Sequence, residues 1–208
     1  MKKFGLLAIV AFLSSGFLQA QTAIELLNQL SETYMKIPTY YIKFDFKENK
    51  NSKPVTGELF AAGEKYNLKI MDIQQMYNGK SLYTITKDDK EVTVSVPDSD
   101  SDDFLSPTKV LRMYKSGYNM ELGKTAVLDG TNLRYVKLTP IETSEISFAE
   151  LAINTDNMTL SSYTETLKNG DTREIIVKEF LKNLVIPNAV FKFDKSKYEN
   201  DGYVVTEL

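Results

Sequence analysis

The chain has 208 residues, of which 42% are hydrophobic and 25% charged, the balance of a globular protein rather than a disordered one. It contains no cysteine, histidine or tryptophan, which excludes disulfides, Cys/His zinc sites, thiol nucleophiles and every Ser-His-Asp or Cys-His catalytic set. With 25 Lys and Arg against 28 Asp and Glu the net charge is −3, so no concentrated positive surface is available and nucleic acid is not expected as a partner.

The first element reads as an export signal. Met1-Lys2-Lys3 is a basic start, Phe4 to Leu18 is almost wholly apolar, and Leu18-Gln19-Ala20 ends on a small residue, which sets residues 1–20 as a signal cleaved after Ala20 and residues 21–208 as a single domain. About 15 apolar residues fall short of the roughly 20 that span a bilayer. No cysteine follows the apolar run, so the chain is not itself expected to be lipidated.

Thr22 and Glu25 have capping-box spacing, and Ala23, Leu27, Leu30, Tyr34 and Ile37 recur on one helical face before Pro38. From Tyr40 the period becomes two. Tyr40, Ile42, Phe44 and Phe46 alternate with Tyr41, Lys43, Asp45 and Lys47, which predicts a strand with one apolar face. Further strands are predicted at 55–61, 66–71, 81–86 and 91–96. Beyond these, Ser106 and Pro107 open a second helix closed by Gly117, the only other helix expected. Strands are then predicted at 118–122, 133–139, 146–153, 159–166, 172–180, 190–193 and 203–206. Asn78-Gly79, Asp129-Gly130 and Asn169-Gly170 fall between strand-like runs, where positive φ at both residues suits type I′ hairpins.

The fold class expected is mainly β with few helices: an unclosed antiparallel β-barrel, or half-barrel, of about 11 strands with an α-helical lid. A closed small barrel fills itself with side chains, whereas an open one lined by Phe, Tyr, Leu and Ile leaves room for an apolar ligand, and alternation is compatible with both.

Several segments in series resemble one family. They are the strand Tyr40-Tyr41-Ile42-Lys43-Phe44-Asp45-Phe46, Thr56-Gly57-Glu58-Leu59-Phe60, and the stretch Met76-Tyr77-Asn78-Gly79-Lys80-Ser81-Leu82-Tyr83-Thr84-Ile85. Ser106-Pro107, Leu138-Thr139-Pro140, Asn169-Gly170 and Ile186-Pro187-Asn188-Ala189-Val190-Phe191-Lys192-Phe193 follow in the same order. The chain resembles the periplasmic outer-membrane lipoprotein carriers of the LolA type. That resemblance implies a non-catalytic periplasmic chaperone that holds the acyl chains of triacylated lipoproteins. It would take them from an ATP-driven inner-membrane transporter and pass them to an outer-membrane acceptor, acting as a monomer without a cofactor. An anchor with on the order of 45 methylenes would cost roughly 36 kcal/mol to expose to water at ~0.8 kcal/mol each, so a carrier has to supply an apolar surface. Where characterised members carry a basic residue and proline after the second strand, this chain has Phe60-Ala61-Ala62-Gly63-Glu64-Lys65, so the family's arginine latch to the lid is not carried over. Phe60 and Tyr83 stand where the family has tryptophan.

The expected apolar cavity and lid comprise Tyr40, Ile42, Phe44, Phe46, Leu59, Leu68, Ile70, Leu30, Tyr34, Leu111 and Tyr114. Two alternatives share the fold: a carrier of a free glycerolipid, glycolipid or pigment, and a filled barrel serving as a protein-interaction module. The run Asp98-Ser99-Asp100-Ser101-Asp102-Asp103 opens like a calcium loop. It lacks glycine at the sixth position and glutamate at the twelfth, where Lys109 stands, so no metal is expected there.

Overall fold

The computed structural model describes residues 15–97, 114 and 116–208. Helix α1 runs from Ser15 to Met35. It starts earlier than the Thr22 cap predicted from sequence, because no breaker separates the helix-favouring Leu18-Gln19-Ala20 from the amphipathic stretch that follows, and it passes through the expected cleavage point. Ala23, Leu27, Leu30 and Tyr34 form its buried stripe as the spacing predicts.

Among the described residues, twelve strands follow in one unclosed sheet. They are β1 (Thr39–Glu48), β2 (Val55–Ala62), β3 (Lys65–Ile70), β4 (Ile73–Tyr77), β5 (Leu82–Thr86) and β6 (Glu91–Ser95), then β7 (Tyr118–Leu128), β8 (Thr131–Pro140), β9 (Ile146–Asn154), β10 (Thr159–Leu167), β11 (Thr172–Lys182) and β12 (Val204–Glu207). Their order across the sheet is β12-β6-β5-β4-β3-β2-β1-β11-β10-β9-β8-β7. The half-barrel expected from sequence is therefore present, with a strand number close to the expected value of about 11. Its departure from a purely antiparallel sheet is β12, which pairs parallel to β6.

Register decides which side chains share a face, because residues paired across antiparallel strands project to the same side. Tyr40, Ile42 and Phe44 pair with Ala61, Leu59 and Gly57, and these in turn pair with Tyr66, Leu68 and Ile70. On the other flank of β1, Phe46, Phe44 and Ile42 pair with Ile175, Val177 and Phe180. All lie on the face that α1 packs against, the inner face. Its main core joins the α1 stripe to Tyr40, Ala61, Val136, Leu138, Ala149, Leu151 and Ile153.

The opposite face is covered where the chain's C-terminal segment folds back over β3 to β6. Met76, Ile85, Val92 and Phe191 are buried there, and Tyr83 stacks on Phe193 at 4.4 Å, which stacks on Tyr198 at 5.1 Å. The strand expected at 190–193 is instead a 3-10 turn, Asn188–Phe191. Pro187 fixes the turn's start at φ −60°, the Val190 N–H donates to the Pro187 carbonyl, and the Val190 carbonyl accepts from Asn67 Nδ2 at 2.6 Å, so neither group is free for a strand ladder. A short helix not expected from sequence, α2 (Lys195–Asn200), follows, its first turn capped by the Asp194 carboxylate accepting from the Lys197 N–H.

Of the three Asx-Gly turns only Asp129-Gly130 has positive φ at both residues, 48° and 77°. Asn78 instead keeps negative φ and its side-chain oxygen accepts from the Lys80 and Ser81 N–H groups, an Asx turn that leaves left-handed geometry to Gly79 alone. At 169–170 only Gly170 is left-handed. The predicted 106–117 helix and the acidic run 98–103 lie outside the described residues, apart from Tyr114, Ser116 and Gly117.

Candidate functional site

Helix α1 covers only part of the inner face. Its C-terminal end is locked by aromatic packing: Tyr34 meets Tyr40 edge-on at 5.8 Å, and both rings contact Phe180, at 5.3 and 5.9 Å. The Tyr34 hydroxyl accepts from the Leu160 N–H at 3.2 Å, and the Tyr114 hydroxyl donates to Asn28 Oδ1 at 2.9 Å. Desolvation by burial pushes the Tyr34 phenol up to about 12, and burial likewise raises that of Tyr40.

Beyond this contact the inner face stays apolar, Ile42 and Leu59 packing at the edge of the helix–sheet core, and among the described residues no element covers it completely. Ile42, Phe46, Leu59, Leu68 and Ile70 are half-buried, as are Ile175 and Val177 on the neighbouring strand. They form a continuous surface by register, the rows Phe46–Ile175–Tyr163 and Ile70–Gly57–Phe44–Val177 lying side by side. Phe44 is the exception, at 7% exposed. Its ring lies flat over Gly57, where any Cβ would collide with it. Glycine at 57 thus lets an aromatic ring lie down along the sheet instead of standing off it.

The residues expected from sequence divide accordingly. Ile42, Phe46, Leu59, Leu68 and Ile70 lie together on the accessible apolar surface, and Phe44 forms its floor. Tyr40, Leu30 and Tyr34 belong to the helix–sheet contact, and Tyr114 is buried beside α1. Leu111 lies outside the described residues. Ile175, Val177, Phe180 and Tyr163 complete the wall and were not expected from sequence: Ile175-Ile176-Val177 reads as an unbroken apolar run, and a bulge opposite Lys43/Phe44 shifts the phase before Phe180. Phe60 and Tyr83 face the other side of the sheet, Phe60 packing on Tyr41 at 4.7 Å. Lys65 lies beside the turn at Gly79, within 3.8 Å of where its Cβ would be.

Charge enters this wall at one end. Glu165, its side chain 17% exposed, follows Tyr163 on the inner face, and the Tyr163 hydroxyl donates to its Oε1 at 2.9 Å. Burial first, and the neighbouring carboxylate second, raise the Tyr163 phenol pKa far above its usual value. Among the described residues no group of three or more acidic side chains is placed to hold a metal ion, and no helix is long and apolar enough to cross a membrane.

No family model and no curated protein matches the chain. Solved structures do. An uncharacterized conserved protein from Thermus thermophilus superposes with TM-score 0.64 at 10% identity, over 90% of this chain and 100% of that one. MucB superposes with TM-score 0.50 at 14% identity over 84% of this chain and 64% of its own, so this chain spans less than two thirds of MucB. A LolA superfamily protein from Nitrosomonas europaea matches at TM-score 0.37 and 11% identity, over 82% of this chain and 97% of that one. At such identities the first two likenesses establish the fold and nothing finer, and the third, at its lower TM-score, adds nothing to that.

Proposed function

We propose that the protein is a non-catalytic periplasmic carrier that binds the acyl chains of lipoproteins on its inner face and shuttles them from the inner to the outer membrane. In this reading residues 1–20 direct export, and the chain works as a monomer between an ATP-driven transporter and an outer-membrane acceptor. The observation that carries the proposal is the apolar surface of Ile42, Phe46, Leu59, Leu68, Ile70, Ile175 and Val177, only partly buried beside a helix that covers part of the same face. An apolar surface of this kind left to water costs about 25 cal/mol per Å², and a bound acyl chain removes that cost. Lid opening requires breaking the Tyr34–Tyr40–Phe180 cluster without unfolding the sheet.

A second reading, a carrier of another apolar ligand on the same fold, draws support from the segment Ala61-Ala62-Gly63, which has no arginine to latch the lid. Both readings predict that Nile red, a neutral apolar dye, brightens on titration with the protein and that Phe46→Asp weakens its binding by about tenfold or more, since a carboxylate in an apolar site is strongly disfavoured. A dye that stays dark with the wild-type chain, or binds Phe46→Asp equally well, contradicts the assignment.

A further inference from the structure

On the inner face near β1, β10 and β11, charge borders the apolar wall in the row that holds Glu165. Across the sheet, Glu48, Arg173, Glu165 and Ala149 form one row by register, next to the row Phe46–Ile175–Tyr163. Glu165 therefore stands one row along the sheet from Phe46 and Ile175 of the apolar surface, and it pairs across β9 with Ala149 of the buried core. Its two oxygens are unequally used. Oε1 accepts from Tyr163, whereas Oε2 lies 3.6 Å from Arg173 Nη1, too far for a hydrogen bond. The guanidinium is engaged elsewhere, donating to Glu145 Oε1 at 2.9 Å, and it also faces Glu48 across the β1–β11 pairing. One cation is thus shared among three carboxylates, and one oxygen of a mostly buried carboxylate side chain at the end of an apolar wall retains acceptor capacity.

Building on the carrier reading, we propose that Glu165 is the head-group contact of this surface and that it selects amphiphiles whose polar head donates hydrogen bonds and bears no negative charge. The chain would lie along Ile175 and Phe46, and a hydroxyl, amide N–H or ammonium of the head would donate to Glu165 Oε2. A carboxylate or phosphate head would meet the negative balance of Glu48, Glu145 and Glu165 and could donate nothing to Oε2 when ionised. Tyr163 holds the acceptor in place, so it acts as a positioning residue.

The test is displacement of Nile red at pH 8 by three amphiphiles of equal chain length, each below its micelle-forming concentration: palmitate, monopalmitoylglycerol and hexadecylamine. The wild-type chain should release dye to monopalmitoylglycerol and hexadecylamine at concentrations about tenfold lower than to palmitate, the range of a hydrogen bond to a charged group. In Glu165→Gln the ratio of palmitate to hexadecylamine midpoints should fall to about twofold or less, whereas Tyr163→Phe, which keeps the carboxylate, should preserve a preference against palmitate. Ratios are taken within each variant, so a change in overall affinity does not enter. Equal displacement by all three lipids in the wild type, or an unchanged ratio in Glu165→Gln, overturns the inference and leaves the carrier reading intact. A dye that never binds overturns both.

Discussion

The contact between Phe44 and Gly57 illustrates how a single missing side chain shapes the surface. The ring occupies the space over β2 that a Cβ would take, so Gly57→Val forces it out of the floor and into the apolar wall. The expected result is a loss of about 1–3 kcal/mol in stability by denaturant unfolding, together with weaker Nile red binding. At the same scale, Tyr34 links stability to alkaline pH. Its phenol stays protonated in the folded protein up to about 12, whereas in the unfolded chain it ionises near 10. Above pH 10 the unfolded state therefore binds fewer protons than the folded one, so stability present below pH 10 declines through pH 12, by about 1.4 kcal/mol per unit at most for this group. Urea unfolding at pH 9, 10 and 11 should show the decline, and Tyr34→Phe should remove part of its slope while lowering stability at neutral pH by leaving the Leu160 N–H without its acceptor. A flat profile in the wild type contradicts this.

Among the elements, those with clean alternation were legible in the sequence and those set by tertiary contacts were not. Strand β1 shows both its span and its buried face directly, because Tyr40, Ile42, Phe44 and Phe46 alternate with polar residues. Strand β4 carries no such signal. It has five residues, and the turn before it, Met71-Asp72, carries neither glycine nor asparagine although Met71 adopts φ 51°. Strain at that position follows from the Cβ clash of left-handed backbone, and Met71 is 52% exposed, so little packing opposes its replacement. Met71→Gly is expected to raise stability by about 0.5 kcal/mol and the melting temperature with it, and a fall in melting temperature contradicts the account of that turn. The C-terminal fold-back was hidden for a different reason. Asn67 and Pro187 together convert a strand-like sequence at 188–191 into a 3-10 turn, and Asn67 lies 123 residues before the Val190 it bonds. The candidate site was half legible: β1, β2 and β3 supplied their share through alternation. Ile175 and Val177 came into view only through pairing, since contiguous apolar residues carry no facial signal.

For the whole molecule, the sheet's curvature and the partial cover of α1 make one consistent design. The outer face of the β3–β6 half is covered by the C-terminal segment, while the inner face from β3 across β1 to β11 is left with apolar side chains that no described element covers completely. A stable sheet with an incompletely covered apolar face suits a carrier that must accept and release a chain without unfolding. Native mass spectrometry of the protein, purified from bacterial periplasm without detergent, tests this most directly. The account predicts an added mass that denaturation releases as an amphiphile, a lipoprotein if the acyl-chain shuttle is right and a free lipid if the other carrier reading is. A chain that flies at its bare mass, and that also leaves Nile red dark in solution, would mean a filled half-barrel with no ligand to carry.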